Sequence, residues 1–557
     1  LIANQDTTLF LTTPDYFAPF LKHPGGLLEV AGSFLNQFMR FPLTGALLLS
    51  AMGTLLFFLS ARFLRDSPQP AVRVAAGFLA AAMVVAMHNY YPHRVYQTLG
   101  WIVAMILADQ VPSGGRKRRF YLILVVPLLY YSCGGYLWFF LILFLLTRLS
   151  GRGKPDREVL FFGVLYPAGI FLAGLFLVFL QPWTELALFP LPLGPSYGPA
   201  PWPLIFVLYI FCLPFLAQGI SRWKWSSILK GSVVSLVALT GAVLLVRFSY
   251  NRKNAEFYTI ESLALKKDWT NLTRYAAQHP STNLFGTFYT NLALFYEGRL
   301  CTDLFSYSQP FGRRGLCFGW EAKGEVLRRG GDFYWAIGFV NEAHHWAYES
   351  MIVDGLTRRN LERLVQTELV RGNFKVAEKY IGWMEESLFG GPLADRYRHF
   401  LEDPESVLMD PELGPRASVR IGQDFFADGM DLEKNLKALL VSEPSSLPVL
   451  EYLMALYLLE SRIDEIVALL PGYLRSHTGP LPVPIEESLL VYQITHREDK
   501  QANLRVSEQT IRRFDEYTSV LRQSRGREEA ARNLYPRFGR SFWFYYNFIW
   551  PSISNRS

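Results

Sequence analysis

Between Gly114 and Leu149 the chain reads Gly-Gly-Arg-Lys-Arg-Arg and then a long apolar run, broken in its middle by Ser132-Cys133-Gly134-Gly135. A bilayer tolerates helices, whose backbone groups bond internally, and excludes irregular backbone that faces lipid. The run therefore crosses once as a single helix, or twice as a hairpin turning at Gly134-Gly135. That choice fixes the side of the membrane on which everything after it lies.

Half of the 557 residues are hydrophobic and the mean hydropathy is +0.14, with the charged residues gathered mostly in the second half. This composition implies a membrane region followed by a water-soluble one. Further apolar spans run from Pro42 to Ala61, Ala71 to Met87, Val95 to Leu107, Glu158 to Leu180, Trp202 to Ile220 and Ile228 to Val246. The longer ones approach the roughly 20 residues that a helix needs to cross about 30 Å of hydrocarbon. The spans at Val95 and on either side of Gly134 are short, and Tyr96, Tyr130, Tyr131, Tyr136 and Trp138 extend them into the interface.

Basic residues collect on the cytoplasmic side of membrane proteins. With a turn at Gly134-Gly135, four basic loops fall on one side: Arg62 to Arg73, Arg116 to Arg119, Arg148 to Arg157, and Arg222 to Lys230. With a single crossing the last two face outward. The hairpin is therefore expected, although Arg247 and Lys253 stand against it. The formal charge of +7 comes partly from this pattern and is not a nucleic-acid footprint, because no basic face carries base-stacking aromatics. The expected architecture is all-α. Residues 1–41 form an outer loop, 42–249 a polytopic transmembrane bundle of about eight helices, and 250–557 a soluble helical-repeat domain outside the cytoplasm. An N-terminal helix preceding Leu1 is expected, to bring the first loop to the outer side.

In the outer loop, Pro24-Gly25-Gly26 opens a helical pattern with Leu27, Leu28, Ala31, Leu35, Phe38 and Met39 on one face and Glu29, Ser33, Asn36 and Arg40 on the other. It reads as an amphipathic helix lying in the membrane interface. The second half reads as helices separated by turns such as His279-Pro280-Ser281, Gly330-Gly331-Asp332 and Gly390-Gly391-Pro392. Three stretches share one pattern, with a small residue between a charged and a polar one: Phe295 to Leu300, Leu369 to Phe374 and Leu458 to Ile463. In helical-hairpin repeats the small residue permits the tight turn. An α-solenoid with tetratricopeptide-like hairpins is expected, with degenerate spacing; an irregular helical bundle is the alternative.

Several motifs resemble a family of uncharacterised multi-pass membrane proteins from Bacteroidota. They are Phe10 to Phe17, Pro24-Gly25-Gly26, Phe34 to Phe38, Tyr130-Tyr131 with Gly134-Gly135-Tyr136, Thr290 to Leu294, Phe305 to Trp320, Glu451 to Met454, and Phe542 to Tyr546. The resemblance implies an inner-membrane location in Gram-negative bacteria, with the second half in the periplasm. It supplies no reaction and no site residues.

Position supplies candidates instead. An enzyme that transfers sugar from a lipid-linked donor needs an outer carboxylate to deprotonate or orient the acceptor, and cations to hold the lipid phosphate. Asp15 and Asp6 are the candidate carboxylates, and Arg40, His88, His93 and Arg94 the candidate phosphate ligands. Each also has a plainer role: Asp15 follows Pro14 and suits a turn or cap. His88 and His93 lack metal-ligand spacing, adjacent His344 and His345 diverge on a helix, and no metal site is expected. The sequence leaves any cofactor unspecified. Asp109 near a span end is expected to snorkel or pair with Arg116. Cys301 and Cys317 either pair or remain free thiols. Asn271-Leu272-Thr273 matches a glycosylation acceptor by chance, and Pro310 to Leu316 is a basic turn-rich loop suited to an acidic partner. The aromatic segment Phe542 to Trp550 is expected to return to the membrane interface.

Two functions follow. The first is a glycosyltransferase-like or glycan-ligase enzyme of envelope assembly, with the bilayer and a polyprenyl-phosphate-linked glycan as partners. The alternative is a non-enzymatic scaffold whose repeats bind periplasmic or envelope proteins. Eight spans exceed what an anchor needs, which favours the enzyme.

Overall fold

The computed structural model describes residues 8–65, 70–90, 92–149, 157–192, 201–221, 227–321, 324–418, 431–496 and 506–554. They are all-α: apart from one isolated antiparallel bridge between Leu11 and Ser387, no strand occurs among them. The chain divides into two compact units, Leu1–Asn251 with Trp383–Pro392, and Arg252–Gly382 with Leu393–Ser557.

The first unit begins with α1 (Gly26–Gln37). There follow α2 (Pro42–Phe63), α3 (Pro70–His88), α4 (Val95–Asp109), α5 (Gly115–Cys133), α6 (Tyr136–Leu149), α7 (Arg157–Val178), α8 (Trp202–Ser221) and α9 (Ser227–Ser249). Four are long and apolar enough to cross a membrane: α2, α3, α7 and the Gly231–Ser249 part of α9. Shorter apolar helices are α4, the Tyr136–Arg148 part of α6 and the Trp202–Leu216 part of α8. Their outward faces carry large apolar side chains, Phe58, Phe78, Leu165 and Leu236 among them, all more than half exposed. Water would not stabilise that surface; hydrocarbon would.

The Gly114 to Leu149 run is broken at Gly134, which takes φ +57°; a Cβ there would lie 2.2 Å from the Phe189 carbonyl oxygen. Only glycine fits, and Gly135 N–H donates to that same carbonyl at 2.8 Å. The two arms run back on each other. Arg148 at the end of α6 donates to the carbonyls of Pro112 (2.9 Å) and Ser113 (3.3 Å), just ahead of α5.

One end of the unit gathers the first loop with residues 89–90 and 92–94 and the turns at 134–135 and 187–190. Gly25 N–H donates to Tyr131 O at 2.9 Å, Trp138 Nε1–H to Ala187 O at 2.8 Å, and Asn89 to Ser249 Oγ at 2.9 Å. The charged pairs of the helical bundle lie at the other end: Arg62 with Asp109 at 2.5 Å and Arg118 with Glu158 at 2.7 Å. Asp109 thus pairs with Arg62 and not with Arg116.

Helix α1 departs from its expected amphipathic reading. Its buried side consists of Gly26, Leu28, Gly32, Ser33, Asn36 and Gln37, whereas Leu27 and Phe34 are exposed. The small residues decide this: a Cβ on Gly32 would fall 2.3 Å from Cβ of Tyr96, so the glycine face is the one that lies against α4. Trp383–Pro392 completes the unit, with Thr12 N–H donating to Glu386 O at 3.1 Å and Phe389 edge-on to Phe38 and Phe41.

The second unit is a run of helices in which neighbours in sequence pack together: α10 (Arg252–Leu265), α11 (Trp269–Gln278), α12 (Leu284–Tyr296), α13 (Glu325–Ala336), α14 (Val340–Asp354) and α15 (Arg358–Val370). It continues through α16 (Phe374–Glu385), α17 (Gly391–Glu402), α18 (Leu432–Ser442), α19 (Leu447–Leu459), α20 (Ile463–Ser476), α21 (Val483–Thr495), α22 (Glu508–Gln523) and α23 (Arg527–Phe538). The small residues Gly298, Gly372 and Ser461 all have positive φ between two helices, as the sequence pattern requires.

Gly330 and Gly331 do not form a turn. They lie inside α13 because Trp346 packs there; a Cβ on Gly330 would meet its ring at 2.2 Å. Cys301 and Cys317 are both buried free thiols, bonded to the carbonyls of Glu451 and Phe318. The segment after Phe542 is consumed inside this unit. Phe542 N–H donates to Glu487 Oε2 (2.7 Å), Trp543 Nε1–H to Glu487 O (2.8 Å) and Tyr545 Oη–H to Leu459 O (2.8 Å), which leaves Phe542 to Tyr545 buried and not free to reach an interface.

Candidate functional site

The residues proposed for chemistry all come from the first unit, and the structure places them unequally. Asp6 lies outside the described residues. Asp15 is exposed, the second residue of the four-residue helix Pro14–Phe17. Arg40 follows α1 and donates to Phe389 O at 3.0 Å, with its guanidinium 5.5 Å above the Phe41 ring. Its contacts are those of a strut that ties Trp383–Pro392 to the first loop.

His88 ends α3 and His93 lies in the turn before α4, yet both reach one hydroxyl. Their Nε2 atoms lie 3.0 and 2.8 Å from Thr98 Oγ1, the rings meet edge to face at 4.9 Å, and His93 stacks on Trp101 at 5.8 Å. Thr98 is fully buried and His93 nearly so. The spacing of five could not reveal this, because the pairing is made by a third residue on the next helix. Arg94 is the N-cap of α4, its N–H held by Gln97 Oε1 at 2.8 Å.

The structure adds a carboxylate that the sequence reading set aside as merely polar. Glu29 lies in the first turns of α1, half-buried, on the helix that Gly32 holds against α4. Burial pushes its carboxyl up, against the opposing pull of His23. Tyr16 from the first loop is also raised, by burial first, with the nearby Ser33 opposing and the charge of Glu29 adding. Tyr96, next to Arg94, is within electrostatic reach of both Glu29 and Arg94. A carboxyl whose neutral form is favoured is, once ionised, a stronger proton acceptor than an unperturbed one. The signal available in the sequence was Gly26-x-x-Glu29-x-x-Gly32: a carboxylate between two small residues is turned toward whatever the glycines pack on.

The brought-together set is therefore Tyr16, Glu29, Tyr96 and Arg94, held by α1 and the start of α4, while His88 at the end of α3 and His93 share Thr98 on α4. Among the described residues no group of three or more His, Cys, Asp or Glu is arranged to hold a metal ion.

The chain matches the model of a family of unknown function, DUF6057, over residues 1–549, and belongs to that family. No curated protein and no solved structure matches it.

Proposed function

We propose that this DUF6057 member is a multi-pass inner-membrane protein of a Gram-negative envelope, acting as a glycosyltransferase-like enzyme on a polyprenyl-phosphate-linked sugar at the periplasmic face. The observation that carries this reading is the gathering of Glu29, Tyr16, Tyr96 and Arg94 at the end of the first unit opposite the Arg62–Asp109 and Arg118–Glu158 pairs. By the charge rule that end is the outer one. There Glu29, with Asp15 as the second carboxylate, takes the proton of an acceptor hydroxyl. The acceptor oxygen bonds to the sugar's anomeric carbon, the bond from that carbon to the phosphate oxygen breaks, and the lipid phosphate leaves toward Arg94. Asp6 remains a further candidate carboxylate, and Arg40, His88 and His93 further candidates for the lipid phosphate.

The test is sugar transfer from a polyprenyl-phosphate donor by membranes carrying the protein. Glu29→Gln is expected to lower the rate about a hundredfold, within the usual range for loss of a general base, while the folded amount stays unchanged. Undiminished transfer by a Glu29→Gln, Asp15→Asn double variant ends the enzymatic assignment of these carboxylates.

A second reading is supported by the regular helix turns of the second unit, which suit a tetratricopeptide-like array that recruits envelope proteins. Under it, both carboxylate variants keep full function in cells and loss follows only from changes in the repeats.

A further inference from the structure

The second unit contains a cavity of about 420 Å³, within the size range of small-molecule sites. Three helices each turn one face toward it. Tyr289, Leu292 and Tyr296 come from α12, Asp332 and Trp335 from α13, and Arg359, Glu362, Arg363 and Gln366 from α15. These spacings of three and four put each set on a single helical face. The wall is thus polar and aromatic at positions where a hairpin array ordinarily buries aliphatic side chains.

Its floor is already fixed. Asp332 holds Arg359 at 2.5 Å and Arg363 at 3.1 Å and accepts from Tyr289 Oη at 3.1 Å. Burial would raise the Asp332 carboxyl, but the two guanidinium groups outweigh it and keep it ionised. The Trp335 ring carries the guanidinium of Arg363 at 4.4 Å and that of Arg416 at 4.5 Å. Trp269 and Tyr296 stack at 4.5 Å with planes 10° apart.

The cavity also stabilises an anion of its own. The Glu412 carboxylate lies 2.5 Å from Lys267 and 3.5 Å from Arg396, with Trp335 Nε1 and Gln366 Nε2 each at 3.4 Å. Lys267 and Arg396 are about half exposed, so the mouth is open to solvent. The lining cations are Lys267, Arg359, Arg363, Arg396 and Arg416, against the carboxylates Asp332, Glu362 and Glu412. Five against three leaves a net charge of +2.

Cations in excess call for an anion. The carboxylates call for a ligand that also donates hydrogen bonds, as hydroxyl groups do. The stacked aromatics call for a ring. We propose that this cavity binds a small anionic saccharide, a sugar ring bearing a carboxylate or a phosphate, with its anion received by Lys267 and Arg396 and its ring set against Trp269 and Tyr296. The proposal is independent of the membrane enzyme and stands or falls on the second unit alone.

The test is titration of the full-length protein in lipid nanodiscs, read by calorimetry and by tryptophan fluorescence, since Trp269 and Trp335 line the cavity. Galacturonate and glucose 1-phosphate separate the carboxylate from the phosphate source; glucose, inorganic phosphate and AMP are the controls. At least one anionic sugar is expected to bind about tenfold or more tightly than glucose and inorganic phosphate, and to weaken as salt is added. Lys267→Gln with Arg396→Gln is expected to weaken that sugar about tenfold; because both side chains also hold Glu412, binding is measured well below the variant's own melting temperature. Trp269→Leu is expected to weaken it independently. Equal binding of glucose, binding of AMP alone, binding of neither anionic sugar, or indifference to the mouth variants overturns the proposal.

Discussion

Glu451 lies on α19, where every residue from Val449 to Leu459 is buried. Burial alone pushes its carboxyl up to about 7, from an ordinary 4.5. The folded state then binds this proton more tightly than the unfolded one, so the group lowers stability as pH rises from about 4.5 through about 7, and the full penalty persists above that. A difference of about 2.5 units corresponds to about 3 kcal/mol. Glu451→Gln is therefore expected to raise the unfolding free energy at pH 8 by up to about 3 kcal/mol, with the gain shrinking toward nothing near pH 4.5. Denaturant titrations of both proteins at several pH values check this; a gain independent of pH would mean that the carboxylate is not the cause. Glu261 shows the opposite balance, since burial raises it but Arg329 at 2.7 Å and Arg359 at 3.1 Å hold it below its usual range. Sequence gave no way to tell these two glutamates apart. Both stand on helices among apolar neighbours, and what differs is whether an arginine from a distant helix arrives.

The same backbone turn recurs five times in the second unit. At Gly298, Gly338, Gly372, Ser461 and Lys267 the residue takes positive φ, its N–H bonds to the carbonyl three back, and the next N–H bonds to the carbonyl five back of it at 2.8 to 3.0 Å. This double bond closes a helix and releases the chain into the next one. Three of the five were legible because a small residue stood between a charge and a polar group. Gly338 escaped because Ile337 and Phe339 flank it, and Lys267 because a lysine stands where glycine is favoured. The turn is specified by one conformation, and composition reports that conformation only indirectly. Gly372 isolates the backbone term, since a Cβ there would meet nothing within 4 Å. Gly372→Ala is expected to cost about 1 kcal/mol or somewhat more, and Ser461→Gly to return a similar amount. Thermal unfolding of the two variants should move in opposite directions, and a shift of the same sign in both would show that side-chain contacts dominate these turns.

At the scale of the whole chain, the decisive element is the hairpin of α5 and α6. Its existence was legible because Gly134-Gly135 interrupts an apolar run and because the basic loops then share a side. The seat of that turn was not legible, since the Phe189 carbonyl that requires Gly134 comes from more than fifty positions away. Nor was the capture of Trp383–Pro392 by the first unit, which depends on an isolated bridge, one arginine contact and the rings of Phe38 and Phe41 against Phe389. In a membrane, the hairpin puts Lys117 and Thr147 on one side and Ser132 on the other. A single crossing would separate Lys117 from Thr147 and bury Ser132 in hydrocarbon. The distinction can be measured in intact cells with a membrane-impermeant maleimide, after Cys133, Cys212, Cys301 and Cys317 are replaced by alanine. Ser132→Cys is expected to label from outside, while Lys117→Cys and Thr147→Cys label only once the membrane is opened. If Lys117→Cys and Thr147→Cys respond differently from each other, the hairpin does not exist in the bilayer, and the outer position assigned to Glu29 loses its support with it.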